Sequence, residues 1–378
     1  MTAELKTTSG ELGVEWKPVF DAVPRSAFLP DLIWRHDLAT GDVSAIDRRA
    51  DPDGWWAAAG ANTPLVTQWD DGRHEGRERG RVATISSSMP SLVSAMLADL
   101  DVRPGQRVLE IGTGTGWNAG LLAHRLGAGS VVSVDVDEGA VKAARGRLAR
   151  LGLVAEVVHG DGFAGYGPGA PYDRMVVTCG VRTLPFAWVE QTRPGGVVLV
   201  PWGTHFSSTE ATARLVVAED GLSAQGTFTR PVTFMRLRSQ RLAHASYDTY
   251  VTEESREAAR ISTTSRTHRE VFAGTYDVNR FVLGLRVPDC TYLADRPREG
   301  RRPVWLYSLS DRSWACVVHR DERTELTVHQ SGPRSLWDEV EAAYEWWTER
   351  GRPGFGRLGL TVDGGGQRAW LDEPEGPI

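Results

Sequence analysis

The chain has 378 residues, 41% hydrophobic and 24% charged, which is a globular balance and more length than one small domain needs. A net charge of −6 argues against a nucleic-acid partner, because a phosphate-binding surface shows as a basic excess. Cys179, Cys290 and Cys316 are too few and too far apart for a disulfide framework or a zinc site, and no apolar run approaches a membrane span, so no metal and no membrane partner are expected.

The opening "MTAELKTTSGELGVEWKP" has no apolar core of signal-peptide length, and the expected location is cytoplasmic. Residues 1–80 read as an irregular, partly helical segment, because "WKPVFDAVPRSAFLPDLIW" is punctuated by proline with scattered aromatics. Within it, "TPLVTQWDDGRHEGRERGR" predicts a polar loop, and Arg73, Arg77, Arg79 and Arg81 are either solvated or a clamp for an acidic peptide. "ATISSSMPSLVSAMLADL" then sets a threonine and three serines before a helical face of Leu92, Val93, Met96, Leu97 and Leu100. Pro90 suits the first turn, with Ser88 or Met89 as cap. One hydroxyl suffices for capping, so Ser87 and Ser88 read equally as caps or as lining of a substrate slot.

From 107 to 201, short apolar runs alternate with helical stretches. "RVLEIG", "SVVSVDV", "AEVVHGD", "DRMVVT" and "GGVVLVPW" are predicted strands, with helices in "WNAGLLAHRLG" and "EGAVKAARGRLARLG". The alternation predicts an α/β, Rossmann-like, mostly parallel sheet covered on both faces. Two antiparallel strands around a "DG" turn follow at 213–238. The expected domains are 1–80, a catalytic 81–240, a polar connecting segment 241–264, and a C-terminal α+β domain, 265–378, that is a candidate for substrate binding. Trp305, Trp314, Trp337, Trp346, Trp347 and Trp370 read as core more readily than as a peptide groove.

"VLEIGTGTGW" runs a strand into Gly112, Thr113, Gly114 and Gly116 and then a helix, a turn that brings backbone close to a ligand. Nineteen residues after Gly116, Asp135 ends the next strand beside Val136, where an acid accepts ribose hydroxyls. This much suits NAD or S-adenosylmethionine. The GxGxG spacing and Glu110, which would face an amino group and repel a diphosphate, favour the second and disfavour a nicotinamide dehydrogenase. Asp161 and Gly162 in "GDG" are placed for an adenine amino group, and Thr178 ends the fourth strand with Cys179. Trp117 either stacks near the cofactor or packs in the core.

"AVPRSAFLP", "TPLV", "ATIS", "VLEIGTGTGW", "GDG" with "APYD", and "PGGVVLVPWG" stand in the order found in protein-L-isoaspartate O-methyltransferases, and residues 15–240 resemble that family. The resemblance implies a class I, seven-stranded methyltransferase fold binding S-adenosylmethionine. It implies that Ser86 helps place the substrate carboxylate and that Thr84, Gly112, Gly114, Gly116, Asp135, Asp161 and Gly162 contact the cofactor. The chain departs from the family at Ser87, Ser88, Met89 and Pro90, and it extends about 140 residues further. In these respects it is similar to longer homologues that accompany ribosomally made cyclic peptides (lanthipeptides, lasso peptides, graspetides). The expectation drawn from them is methylation of an aspartate in a modified or cyclised precursor peptide. The ester would then close to an aspartimide, which persists or hydrolyses to isoaspartate. The alternatives are an isoaspartyl repair enzyme, and a peptide-capturing adaptor with little methyl transfer. A carboxylate with pKa near ~4 is already ionised at neutral pH, so this chemistry needs positioning and no general base.

Overall fold

The computed structural model describes residues 15–36, 42–242, 246–272, 274, 276–294, 298–320 and 325–378. The first 14 residues, on which the signal-peptide expectation rests, lie outside that set. No helix among the described residues is long and apolar enough to cross a membrane.

The N-terminal segment holds helices α1 (Lys17–Ala22) and α2 (Pro52–Gly60) and also a sheet that its sequence did not announce. Strands β1 (Leu32–His36), β2 (Val43–Asp47), β3 (Leu65–Trp69) and β4 (Ala83–Ser87) pair antiparallel in the order β2-β1-β3-β4. None of the first three shows strict inside–outside alternation, so period-2 patterning was silent. The stretch "ATISS" is thus strand, and this sheet spans position 81.

Helix α3 (Pro90–Leu100) follows, with Met89 at its N-cap and no side-chain cap bond. The predicted alternation then runs as β5 (Val108–Ile111), α4 (Trp117–Leu126), β6 (Val131–Asp135), α5 (Glu138–Arg150), β7 (Glu156–His159), β8 (Tyr172–Val177), α6 (Phe186–Glu190) and β9 (Thr192–Trp202). Strands β5 to β9 are parallel, and β10 (Glu210–Val217) and β11 (Ser223–Val232) add antiparallel. Both faces are buried. Val108 and Val131 join a core with residues of α1, α3, α4 and α5, whereas Leu109, Ile111, Val132 and Val134 join the opposite core with Trp188 of α6.

After short helices α7 (Tyr247–Tyr250) and α8 (Glu253–Glu257), an antiparallel sheet forms from β12 (Arg260–Thr264), β13 (Cys290–Ala294), β14 (Arg301–Ser308), β15 (Trp314–Arg320) and β16 (Leu326–Ser331). It packs with α9 (His268–Phe272), α10 (Val278–Arg286) and α11 (Leu336–Glu349), an α+β unit. Helix α10 ties the two units together: Phe281 and Val282 enter the main core, while Leu283 enters the second. The tryptophans are divided among these cores; Trp314, Trp337 and Trp370 are buried and line no common groove.

The chain then returns. Strands β17 (Leu358–Asp363) and β18 (Gly366–Leu371) join the edge of the main sheet at β11, giving the order β18-β17-β11-β10-β9-β8-β5-β6-β7. The main sheet is the expected seven strands plus this returning hairpin.

Candidate active site

At the carboxyl ends of the parallel strands lies a cavity of about 1030 Å³. That is where open α/β sheets bind ligands. Three walls enclose it: β4 with the start of α3, the glycine turn after β5, and the segment 231–241 after β11. Tyr276 reaches it from the C-terminal unit.

The turn is shaped by its glycines. At Gly114, with φ +52°, an added Cβ would sit 3.5 Å from Ile85 Cγ2 and 3.8 Å from the Ser86 carbonyl oxygen. The glycine turn therefore packs directly against the strand that carries the serines. Gly116, with φ +86°, is the N-cap of α4, and a Cβ there would be 2.8 Å from Ala144 Cβ. It serves the helix junction and, alone among the expected site residues, is not among those lining the cavity. Trp117 does line it, but its indole N–H donates to the Val23 carbonyl at 3.0 Å and its ring meets Phe20 edge-on, which is the core reading.

The acids are differently placed. Glu110 is fully buried, accepting from Asn118 Nδ2 at 2.7 Å and from Ser133 Oγ at 2.5 Å. Burial pushes its carboxyl up to about 7, its two donors pull the other way, and the charge of Asp135 adds to the rise. Asp135 accepts from the backbone N–H groups of Gly114 and Asp137 at 2.8 and 2.9 Å, and burial raises its pKa too. A pocket with two such carboxylates suits a cation with hydroxyls. Asp161 accepts from Phe163 N–H at 2.9 Å, and Gly162 leaves no room for a side chain, since a Cβ would lie 2.5 Å from Ile111 Cγ2. The Thr178 hydroxyl donates to the Gly112 carbonyl at 2.6 Å, and Thr113 Oγ1 pairs with Ser133 Oγ at 2.6 Å. Val136 lines the cavity beside Asp135.

All three serines line the cavity, but Ser86 and Ser87, neighbours on β4, turn their side chains to opposite faces, so their hydroxyls differ. Ser87 is buried, accepting from Arg25 Nε at 2.9 Å, while Arg25 Nη2 also bonds its carbonyl at 2.7 Å. Among the described residues the hydroxyls of Ser86 and Ser88, by contrast, have no partner. None of the three caps α3. Thr84, two residues before Ser86, lines the cavity while donating to Gln68 Oε1 at 2.7 Å.

Sequence reasoning missed Arg25, which also bonds the carbonyls of Ala61 and Thr63 at 3.1 and 2.9 Å. It missed the wall at 231–241 as well. There Arg238 pairs with Asp71 at 3.1 Å and Asp137 at 3.3 Å, and Arg241 pairs with Asp71 at 2.8 Å. Asp71 of the predicted loop thus meets Arg238 and, 170 residues away, Arg241, a pairing no local pattern announces. Arg73, Arg77, Arg79 and Arg81 are exposed and are not among the cavity-lining residues. Cys179 lines the cavity, but burial drives its thiol far above the ordinary range, which removes it as a nucleophile.

Residues 75–241 match the family described as Protein-L-isoaspartate(D-aspartate) O-methyltransferase (PCMT). The protein-L-isoaspartate O-methyltransferase of Pyrococcus horikoshii is 39% identical over 135 residues, which is 35% of this chain and 60% of that one. That of Methanoculleus marisnigri is 44% identical over 117 residues, 31% of this chain and 52% of that one. The chain thus spans less than two thirds of these relatives' length. A solved structure titled as a protein-L-isoaspartate O-methyltransferase shares the fold at TM-score 0.52 and 22% identity, covering 98% of both chains, so the C-terminal unit is not peculiar to this protein. Through residues 75–241, the chain is similar to the protein-L-isoaspartate(D-aspartate) O-methyltransferase family.

Proposed function

We propose that this protein is an S-adenosylmethionine-dependent carboxyl O-methyltransferase acting in the cytoplasm on aspartate-derived carboxylates of polypeptides. The observation that carries this reading is the unpartnered Ser86 hydroxyl, on a strand packed against the Gly114 turn and facing the same cavity as Glu110 and Asp135.

The residues present fit the cofactor. Glu110 would meet its α-ammonium, Asp135 its ribose hydroxyls and Asp161 its adenine amino group, with the backbone of Gly112, Gly114 and Gly162 allowing close approach. When bound, S-adenosylmethionine supplies an electrophilic methyl on a sulfonium. The chain's own task is to hold a carboxylate oxygen in line with it. Ser86 and Ser88 donate hydrogen bonds that orient the carboxylate without neutralising it, and positioning of this kind is worth on the order of 7–11 kcal/mol. Transfer to an already ionised carboxylate would require no proton to move, so the residues here would have to orient the carboxylate and not deprotonate it.

Of two substrates, the L-isoaspartyl carboxylate of damaged proteins is the better supported, because the family and the relatives are so named. The expected biosynthetic reading, an aspartate in a cyclised precursor peptide whose ester closes to aspartimide, rests on one observation. The chain after Ser86 continues Ser87–Ser88–Met89, which adds at Ser88 a second hydroxyl with no partner among the described residues. Mass spectrometry of a linear isoaspartyl peptide and of an aspartyl macrocycle, each incubated with protein and cofactor, separates them. Gain of one methylene on the linear peptide is the expected result, and gain on the macrocycle alone reverses the preference. Gain on neither defeats the enzymatic reading in favour of a peptide-binding adaptor.

A further inference from the structure

Three arginines line the cavity, and two are committed: Arg238 and Arg241 pair with Asp71 and Asp137 at the rim. Arg236 is different. Among the described residues its guanidinium has no hydrogen bond and no ion pair. The acid nearest to hand, the buried Glu210, is already taken: one oxygen accepts from Arg182 at 2.6 Å and the other from Phe234 N–H at 2.9 Å. Arg182 and Arg236 therefore share a surrounding with a single negative charge. Burial pushes Arg236 down to about 10, with the like charge of Arg182 adding to the fall. Its backbone is firmly held, since Gly180 N–H bonds the Met235 carbonyl at 2.9 Å and Leu237 N–H bonds the Gly180 carbonyl at 3.0 Å. That places Arg236 beside Gly180, which lies two residues beyond Thr178, whose hydroxyl bonds the glycine turn.

A half-buried cation with no acid of its own, fixed on the wall of a substrate cavity, calls for an anion from outside. The reacting carboxylate is a poor candidate, because a bidentate guanidinium would engage both of its oxygens and weaken the nucleophile. We propose that Arg236 binds a second, non-reacting carboxylate of the substrate polypeptide, so that the site prefers a target residue flanked by Asp or Glu. This deepens, and rests on, the carboxyl-methyltransferase reading.

The test uses C-terminally amidated isoaspartyl peptides with either Glu or Gln within two residues of the target, and a Gln peptide with a free C-terminal carboxylate at similar reach. Binding to the full chain loaded with S-adenosylhomocysteine is measured by calorimetry, alongside KM and kcat. The wild type should bind the Glu peptide about tenfold tighter than the amidated Gln peptide, the scale of one charge-assisted contact. Arg236→Gln should bring that ratio to about one, chiefly in KM, and Arg236→Lys should restore part of it. Equal affinities in the wild type, or a ratio that survives Arg236→Gln, would overturn the proposal. A gain from the terminal carboxylate but none from Glu would overturn the side-chain assignment. If no peptide is methylated yet the Arg236-dependent binding ratio stands, the failure belongs to the proposed reaction and not to Arg236.

Discussion

Two walls face each other across the cavity, and they are held by different physics. The serine wall is a sheet strand pinned from behind by Arg25, whose buried guanidinium bonds Ser87 twice and the carbonyls of Ala61 and Thr63. The opposite wall, beyond β11, is held at its rim by Arg238 and Arg241 on Asp71 and Asp137, all partly exposed to solvent. Hydrogen bonds out of water fix position within tenths of an ångström, whereas half-solvated ion pairs are weak and yielding. The wall proposed to aim the reacting oxygen is rigid, and the opposite wall, although its backbone is bonded at Arg236, can adjust at its rim.

The largest blow to that contrast is Arg25→Met. It strands the Ser87 hydroxyl and three carbonyls in the protein interior, and urea unfolding should show a loss of about 3–5 kcal/mol. Ser87→Ala removes one of those contacts and leaves the Arg25 Nε unpaired, and should cost about 1–2 kcal/mol by the same measurement. Little loss in either would mean that the serine strand is held by its sheet alone.

The third prediction concerns Glu110, which sits on neither wall but beneath the turn. Its carboxyl rises from an ordinary 4.5 to about 7 because it is buried. The folded state therefore holds a proton that the unfolded chain releases between those values. The stabilisation from neutral Glu110 is complete below about 4.5 and is lost as pH rises through about 7. Ligand-free wild type should lose stability relative to Glu110→Gln across this window, by at most about 1.4 kcal/mol per pH unit. Binding of S-adenosylhomocysteine, whose ammonium needs the ionised form, should tighten over the same window and be flat in the variant. A pH-independent difference between the two proteins would contradict the burial argument. The smallest effect belongs to the yielding wall: Arg238→Ala should change stability by less than about 1 kcal/mol in a thermal melt.

What the sequence disclosed follows the same divide. The strands β5 to β9, the glycine turn and Asp135 were legible because each is local: an apolar run, a turn that demands positive φ, an acid at a strand end. The N-terminal sheet was not, because its short strands do not alternate. Nor were the joining of β17 to β11 or the pairing of Arg25 with Ser87, 62 residues apart, because nothing local encodes a partner so distant. The serine cluster shows both limits. Its surplus of hydroxyls was visible, but which of them is already bonded by the protein depended on recognising a strand where a helix cap was also plausible.

Strand parity makes the sharpest demand. Ser86 and Ser87 are adjacent, chemically identical and both on the cavity, yet among the described residues one hydroxyl has no partner and the other is tied to Arg25. Steady-state methyl transfer by Ser86→Ala, with S-adenosylhomocysteine affinity measured in parallel, tests this most directly. A fall in kcat of at least about tenfold at unchanged cofactor affinity and unchanged melting temperature is the predicted result. Wild-type turnover in that variant would contradict the account.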